Sequence, residues 1–369
     1  MPTAVAEMIG PWDAEATTAG TIFNQGAASV AVFCDDPAAL AHAQATLYSY
    51  RRRPGREAAW TLTIRRTGDW EPLPAAPAVT VDIGRRLTAR AKAGDDRTAF
   101  VIDTLPARVD VDFASRAVVV GCGSADAAPF FTTRLIRQVI TAQLLKEGAV
   151  YAHTAAANIA GRGIVIAGNR NRGKTTTLIA LLQHLPGDYV TNDRLLLRLD
   201  PSGQISGVPW PVHMHAGIGT LLAYPHMVDL VPEHLRTTPA EARWTLREKV
   251  NLEPPDFHRL IGDGTVADHC VPELMIWPDV SAQHTTARVE RVDRAEVRSA
   301  LTSTRLFMVD PATGTGSRIN HWLIPTPAAE VQETRLSRLA EAIARSVPCY
   351  RVRAGADPAD LARAVAELL

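Results

Sequence analysis

The chain has 369 residues, room for one large domain or two modest ones, and 46% of them are hydrophobic, ample for a packed core. Lys plus Arg and Asp plus Glu number 39 each, so the net charge is zero and nothing global draws the chain to nucleic acid or to an anionic membrane. No run reaches the roughly 18 apolar residues of a transmembrane helix, the N-terminal stretch lacks the basic-then-apolar order of a signal peptide, and Cys34, Cys122, Cys270 and Cys349 lie far apart with no C-x-x-C spacing, the usage expected of reduced thiols in the cytoplasm. In chain order, Ala28–Cys34, Ala59–Arg65, Ala78–Ile83, Ala99–Ile102, Arg108–Phe113 and Arg116–Gly121 read as strands. Turn clusters separate them, among them Arg53-Pro54-Gly55 and Thr67-Gly68-Asp69. Arg51-Arg52-Arg53 reads as a solvated hairpin tip. Pro129 to Glu147 is an amphipathic helix, with Leu135, Ile136, Val139, Ile140, Leu144 and Leu145 at helical spacing.

Val150 to Ala157 reads as a strand of small residues, and Gly161-Arg162-Gly163 turns it back into the apolar strand Ile164–Ala167. Gly168-Asn169-Arg170-Asn171-Arg172-Gly173-Lys174-Thr175 follows and fits G-x-x-x-x-G-K-[ST], and Leu178, Ile179, Leu181 and Leu182 continue it as a helix. That order is what a polyphosphate loop needs. Backbone N–H groups point inward, the helix adds its positive end, and the two glycines permit the backbone angles. The pattern assigns Lys174 to the β/γ-phosphates of ATP and the Thr175 hydroxyl to Mg²⁺, with Thr176 beside them. Asp188–Thr191 is a short strand that delivers Asn192-Asp193, a place where a carboxylate returns to the sheet edge beside the loop. Leu195–Leu199 is the next strand.

Val208 to Pro225 mixes Pro, His and Gly and reads as a functional loop with a short helix, in which His213 and His215 are hydrogen-bonding rather than metal-binding residues. Arg243, Arg247, Lys249 and Arg318 are candidate phosphate clamps, each by default a surface charge. Pro272–Pro278 and Ala287–Val292 are strands. The apolar run Arg305–Asp310 resembles a Walker B strand, but it lies far from Lys174 and is followed by Pro, so Asp310 ranks behind Asp193. Thr334–Arg345 is a helix, Pro348–Val352 a strand, and Pro358–Leu368 a final helix capped by Asp357.

The order of pieces around the loop, namely His153 on a small-residue strand, a Gly hairpin, the G-x-x-x-x-G-K-T loop and helix, and a short strand ending at Asp193, resembles HPr kinase/phosphorylase and its smaller P-loop phosphotransferase relatives. The tail Val347-Pro348-Cys349-Tyr350-Arg351-Val352-Arg353 is similar to theirs as well. The resemblance is specific over Tyr151–Leu199. It implies an α/β chain with an HPr-kinase-like P-loop kinase domain over 129–369; residues 1–128, rich in strand candidates and not needed to complete the motif, read as a β-rich N-terminal accessory domain that presents the acceptor. The resemblance implies an acidic pair after the short strand that supplies a general base and helps hold Mg²⁺; here the pair reads Asn192-Asp193, which leaves Asp193 as base or Mg²⁺ ligand, and it implies that His153 lies near the phosphates. Where the bifunctional enzymes carry Glu after the loop Lys-Ser/Thr, this chain has Thr176, which points to a one-way kinase. The implied reaction is ATP-dependent transfer to a hydroxyl, on Ser/Thr of a small ribosomal peptide or on a small molecule. The alternative is a nucleotide-binding regulatory ATPase without an acceptor. No nucleic-acid or membrane partner is expected, and homo-oligomerisation is left open.

Overall fold

The computed structural model of the chain describes residues 20–67, 78–84, 87–246, 248–253, 256–302 and 322–369. It is mixed α/β with several sheets, and among the described residues it divides into two compact units, Met1–Glu147 with Ile319–Pro327, and Gly148–Arg318 with Ala328–Leu369. The expected boundary at 128/129 places most of the Ala127–Lys146 helix in the second domain, whereas that helix lies within the first unit. Arg247, Asp310 and Arg318, the apolar run Arg305–Asp310 and the turn residues Gly68 and Asp69 lie outside the described residues.

The first unit is built on one nine-stranded sheet. Its strands are β1 (Thr21–Gln25), β2 (Ala28–Cys34), β3 (Arg51–Pro54), β4 (Trp60–Arg66), β5 (Val79–Gly84), β6 (Leu87–Ala93), β7 (Arg97–Ile102), β8 (Ala107–Asp112) and β9 (Ala117–Cys122), in the order β3-β1-β2-β4-β9-β8-β7-β6-β5. β2, β4 and β9 run parallel and the remaining pairs are antiparallel. The Ala127–Lys146 helix and a helix over Pro37–Thr46 pack against each other and against β2. Asp36 starts the second of these, its carboxylate accepting the Ala39 N–H at 3.0 Å with Pro37 at the first position. Arg51-Arg52-Arg53, expected as a hairpin tip, belongs to the edge strand β3 and is exposed there. A short, charged, Pro-terminated strand is what a sheet edge tolerates.

The second unit holds β10 (Val150–Ala152), β11 (Ala155–Ile159), β12 (Arg162–Ile166), β13 (Gly187–Thr191), β14 (Leu195–Leu199), β15 (Ile205–Pro209), β16 (Met214–Gly217), β17 (Lys249–Leu252), β18 (Pro272–Val280), β19 (Arg288–Arg291) and β20 (Cys349–Ala354). They form a six-stranded sheet, β13-β11-β12-β18-β20-β19, a three-stranded sheet, β10-β14-β15, and the β16–β17 ribbon. β12, β18 and β20 are parallel, so their carboxyl ends share one edge. The Lys174–His184 helix packs on β11 and against the Pro358–Ala366 helix, whose N–H at Ala359 is capped by Asp357 at 2.9 Å. The Ala329–Ser346 helix buries Leu336, Leu339, Ala340 and Ile343 into a core with Val165, Leu195, Leu197 and Met275.

The strand expected over Val150–Ala157 is two strands in two sheets. β10 joins the three-stranded sheet, β11 joins the six-stranded one, and His153-Thr154 is the link. No helix among the described residues is long and apolar enough to cross a membrane. The four cysteines are free thiols, and burial pushes those of Cys122, Cys270 and Cys349 up to about 12.

Candidate functional site

The site lies outside the carboxyl end of β12, where open α/β sheets bind their ligands. β12 is buried on both faces, and a loop follows it from Ala167 to Gly173 before the Lys174–His184 helix begins. The loop closes through left-handed backbone at three places, Gly168 (φ +145°), Asn171 (φ +63°) and Gly173 (φ +95°). Gly173 is required twice over. Its φ disfavours a side chain, and a Cβ there would lie 2.5 Å from Val280 Cγ2 on β18. The loop is also bonded to β18: the Val280 N–H donates to the Arg172 carbonyl at 3.2 Å, and the Arg172 guanidinium donates to Asp279 at 2.8 Å. Asn169, Arg170 and Asn171 at its crest are exposed.

Lys174 opens the helix with 9% of its surface exposed. Its ammonium donates back to the loop carbonyls of Gly168 at 2.9 Å and Asn169 at 3.4 Å. Burial lowers its pKa, the Asp193 carboxylate opposes that, and Lys249 adds to the lowering. Thr175 is half-buried in the first helical turn, and the Thr176 hydroxyl lies 2.8 Å from that of Thr220. The amide N–H groups of that turn have no intrahelical acceptors and point out of the helix start.

His153 and Asp193 meet because the chain changes sheets twice, side by side. β10 passes to β11 through His153-Thr154, and β13 passes to β14 through Asn192-Asp193-Arg194. β10 pairs with β14, ending at Ala152 opposite Leu195, and β11 pairs with β13, beginning at Ala156 opposite Thr191. The two links therefore face each other, and His153 Nε2 lies 2.7 Å from Asp193 Oδ1. The β11–β12 ladder pairs Ala155 with Ile166, which leaves His153 beside the start of the loop.

The second oxygen of Asp193 accepts from Arg194 Nε at 3.0 Å. The Arg194 guanidinium lies over the Trp210 ring at 4.5 Å from its centroid and faces Tyr151 at 5.9 Å. Burial pushes the Asp193 carboxyl up, but the His153 hydrogen bond and charge and the Arg194 charge outweigh it, and its pKa sits well below the usual carboxylate range. Asp193 is thus ionised at neutral pH, in a partly open position with 35% of its side chain exposed.

Asn192, where an acidic residue would complete the implied pair, is buried and bonded. It accepts from the Tyr189 hydroxyl at 2.7 Å and donates to the His213 carbonyl at 3.3 Å. A carboxylate there would have no amide to donate. His213 pairs with Glu253 at 2.9 Å and His215 is exposed on β16, and no cluster of three metal-ligating side chains occurs among the described residues. Arg243 donates to the Thr238 carbonyl at 2.8 Å and so ties down its own segment. Arg194, Trp210 and Tyr151 were not singled out as site residues by the sequence reading. Their only signal there is adjacency of Arg194 to Asp193, since Trp210 reaches the site through the β14–β15 pairing.

No family model matches this chain, and no curated protein matches it. A solved structure, the Hpr(Ser) kinase/phosphatase from Coxiella burnetii, is similar to it at 16% sequence identity, covering 38% of this chain and 77% of that one, with a TM-score of 0.22. A likeness of that size bears on neither substrate nor activity.

Proposed function

We propose that the protein is an ATP-dependent kinase that transfers the γ-phosphoryl group to a hydroxyl, on Ser/Thr of a small peptide or on a small molecule. In this reading Gly168–Thr175 is a P-loop, the second unit is the HPr-kinase-like kinase body, and the nine-stranded unit presents the acceptor. One observation carries it: a buried lysine closes a left-handed glycine loop after β12, and the strand pairings bring the His153–Asp193 pair, delivered from separate strands, beside that loop. Phosphoryl transfer is mostly positioning and charge neutralisation, and those are the parts it needs.

The donor set fits Mg²⁺-ATP. The loop amides and Lys174 offer donors to phosphate oxygens, and the Thr175 hydroxyl and Asp193 carboxylate are hard oxygen ligands of the kind Mg²⁺ takes. When bound, Mg²⁺ would neutralise phosphate charge. The chain's own residues do the rest. Lys174 exchanges its loop carbonyls for phosphate oxygens. Asp193, ionised and oriented by His153 and Arg194, accepts the proton of the attacking hydroxyl as the O–P bond forms and the bond to the leaving ADP breaks. Thr176, bonded to Thr220, offers no carboxylate for the reverse chemistry.

The test is Lys174→Ala with Mg-ATP and candidate acceptors. Acceptor-dependent ADP release by the wild type, lost in the variant together with ATP binding, supports the kinase. Slow turnover independent of any acceptor would make the protein an ATPase. A variant that binds ATP as well as wild type would end the P-loop reading.

A further inference from the structure

The first turn of the Lys174–His184 helix is met by a second piece of chain. Thr176 bonds Thr220 at 2.8 Å, and Thr220 lies in the short Ile218–Leu222 helix, which begins directly after β16. The last residue of β16, Gly217, is paired with Lys249, the first residue of β17. The ribbon therefore carries Lys249 to the helix end that holds Lys174. The fit at this corner is close: a Cβ on Gly219 would lie 2.9 Å from the Arg243 carbonyl oxygen.

Lys249 and Arg170 are both exposed, and neither makes an ion pair with a described residue. They nonetheless feel each other. Burial and then the Arg170 charge lower the Lys249 pKa, against Asp193. Arg170 and Lys249 thus stand together at the loop, and both oxygens of the Asp193 carboxylate are already engaged by His153 and Arg194. Cations crowded against one another without counter-charge favour a polyanion between them. Lys174 stands on the loop side, while Lys249 comes from outside the loop, next to the carboxylate that meets the acceptor. A phosphate held between the two would be the one farthest out of the loop, the terminal one.

We propose that Lys249 is a ligand of the nucleotide's terminal phosphate, carried to the loop by the β16–β17 ribbon, and that with Arg170 it makes the site select a triphosphate over a diphosphate. This rests on the kinase reading above. The experiment titrates wild type, Lys249→Met, Lys249→Arg, Arg170→Ala and Lys174→Ala with ADP and with a non-hydrolysable ATP analogue, in Mg²⁺, by calorimetry. A hydrogen bond to a charged group contributes enough that Lys249→Met should weaken the triphosphate analogue by about ten- to a hundredfold. ADP should change by no more than about threefold, and Lys249→Arg should recover most of the loss. Arg170→Ala should act in the same sense and more weakly. Equal losses for both nucleotides, or none for either, would overturn the proposal. So would unchanged nucleotide affinities with a raised KM for the acceptor, since Lys249 would then serve the acceptor. The kinase reading fails separately, through Lys174→Ala that leaves both affinities intact.

Discussion

Gly173→Ala tests the loop geometry with a magnitude set by two separable terms. The first is conformational: at φ +95° an L side chain costs about 1–2 kcal/mol relative to glycine. The second is steric: the new methyl would lie 2.5 Å from Val280 Cγ2 and 2.7 Å from Val280 Cβ, on a strand whose backbone is bonded to the loop at Arg172. Relief of such an overlap in packed structure costs about 1–3 kcal/mol. The sum, about 2–5 kcal/mol, should be read by denaturant unfolding of the full chain, beside ATP-analogue affinity. Val280→Ala in the same chain removes the Cγ2 overlap and leaves the Cβ contact and the conformational term. The double variant should therefore recover part of the stability loss, giving a coupling of about 0.5 kcal/mol or more. If Gly173→Ala is as stable as wild type, or if Val280→Ala does not alter its cost, the left-handed loop packed on β18 is wrong.

Asp193→Asn should lower kcat by about 10²–10⁴-fold if the carboxylate takes the proton, with ATP affinity little changed; recovery of rate at high Mg²⁺ would instead make it chiefly a metal ligand. Asp310→Asn is the control, and loss of transfer there but not in Asp193→Asn would refute the site. Removing Arg194 with Arg194→Met takes away a charge that holds the Asp193 pKa down, so the acid limb of the activity profile should move to higher pH; a limb that stays put would show that Arg194 does not act on Asp193. Cys122, Cys270 and Cys349 should resist thiol reagents at pH 8 in the folded protein while half-exposed Cys34 reacts first, and rapid modification of all four would contradict their burial.

The loop was legible because its signal is contiguous. An apolar strand, two glycines, Lys174, Thr175 and a helical stripe stand in one stretch, and each is needed where it is. Asp193 was legible because a short strand ends on it. The partner of Asp193 was harder to place: Val150–Ala157 offers neither Gly nor Pro to mark a break, and the change of sheet at His153 is imposed by pairing with β14 on one side and β12 on the other. Local pattern cannot report that. The Pro37–Thr46 helix was missed for a different reason. Its alanines give no apolar stripe, and Asp36-Pro37, a start signal, reads equally as a turn. Lys249 appeared in sequence as one basic residue among several, and only the ribbon's register with Gly217 separates it from Arg243.

The strap formed by residues 322–327 has a consequence for anyone who would divide the gene. Those residues belong to the first unit although the chain on both sides of them belongs to the second. Trp322, Leu323 and Ile324 are buried there, and the Trp322 ring meets Phe100 edge-on at 4.8 Å. Expressed alone, a polypeptide beginning at Gly148 would carry those three side chains into water with nothing to cover them, and the complementary piece would show Phe100 bare. Neither half is a cassette that a single recombination event could exchange. Swapping one against a homologue would bring the wrong strap with it, so the two are expected to be inherited, and to drift, as one.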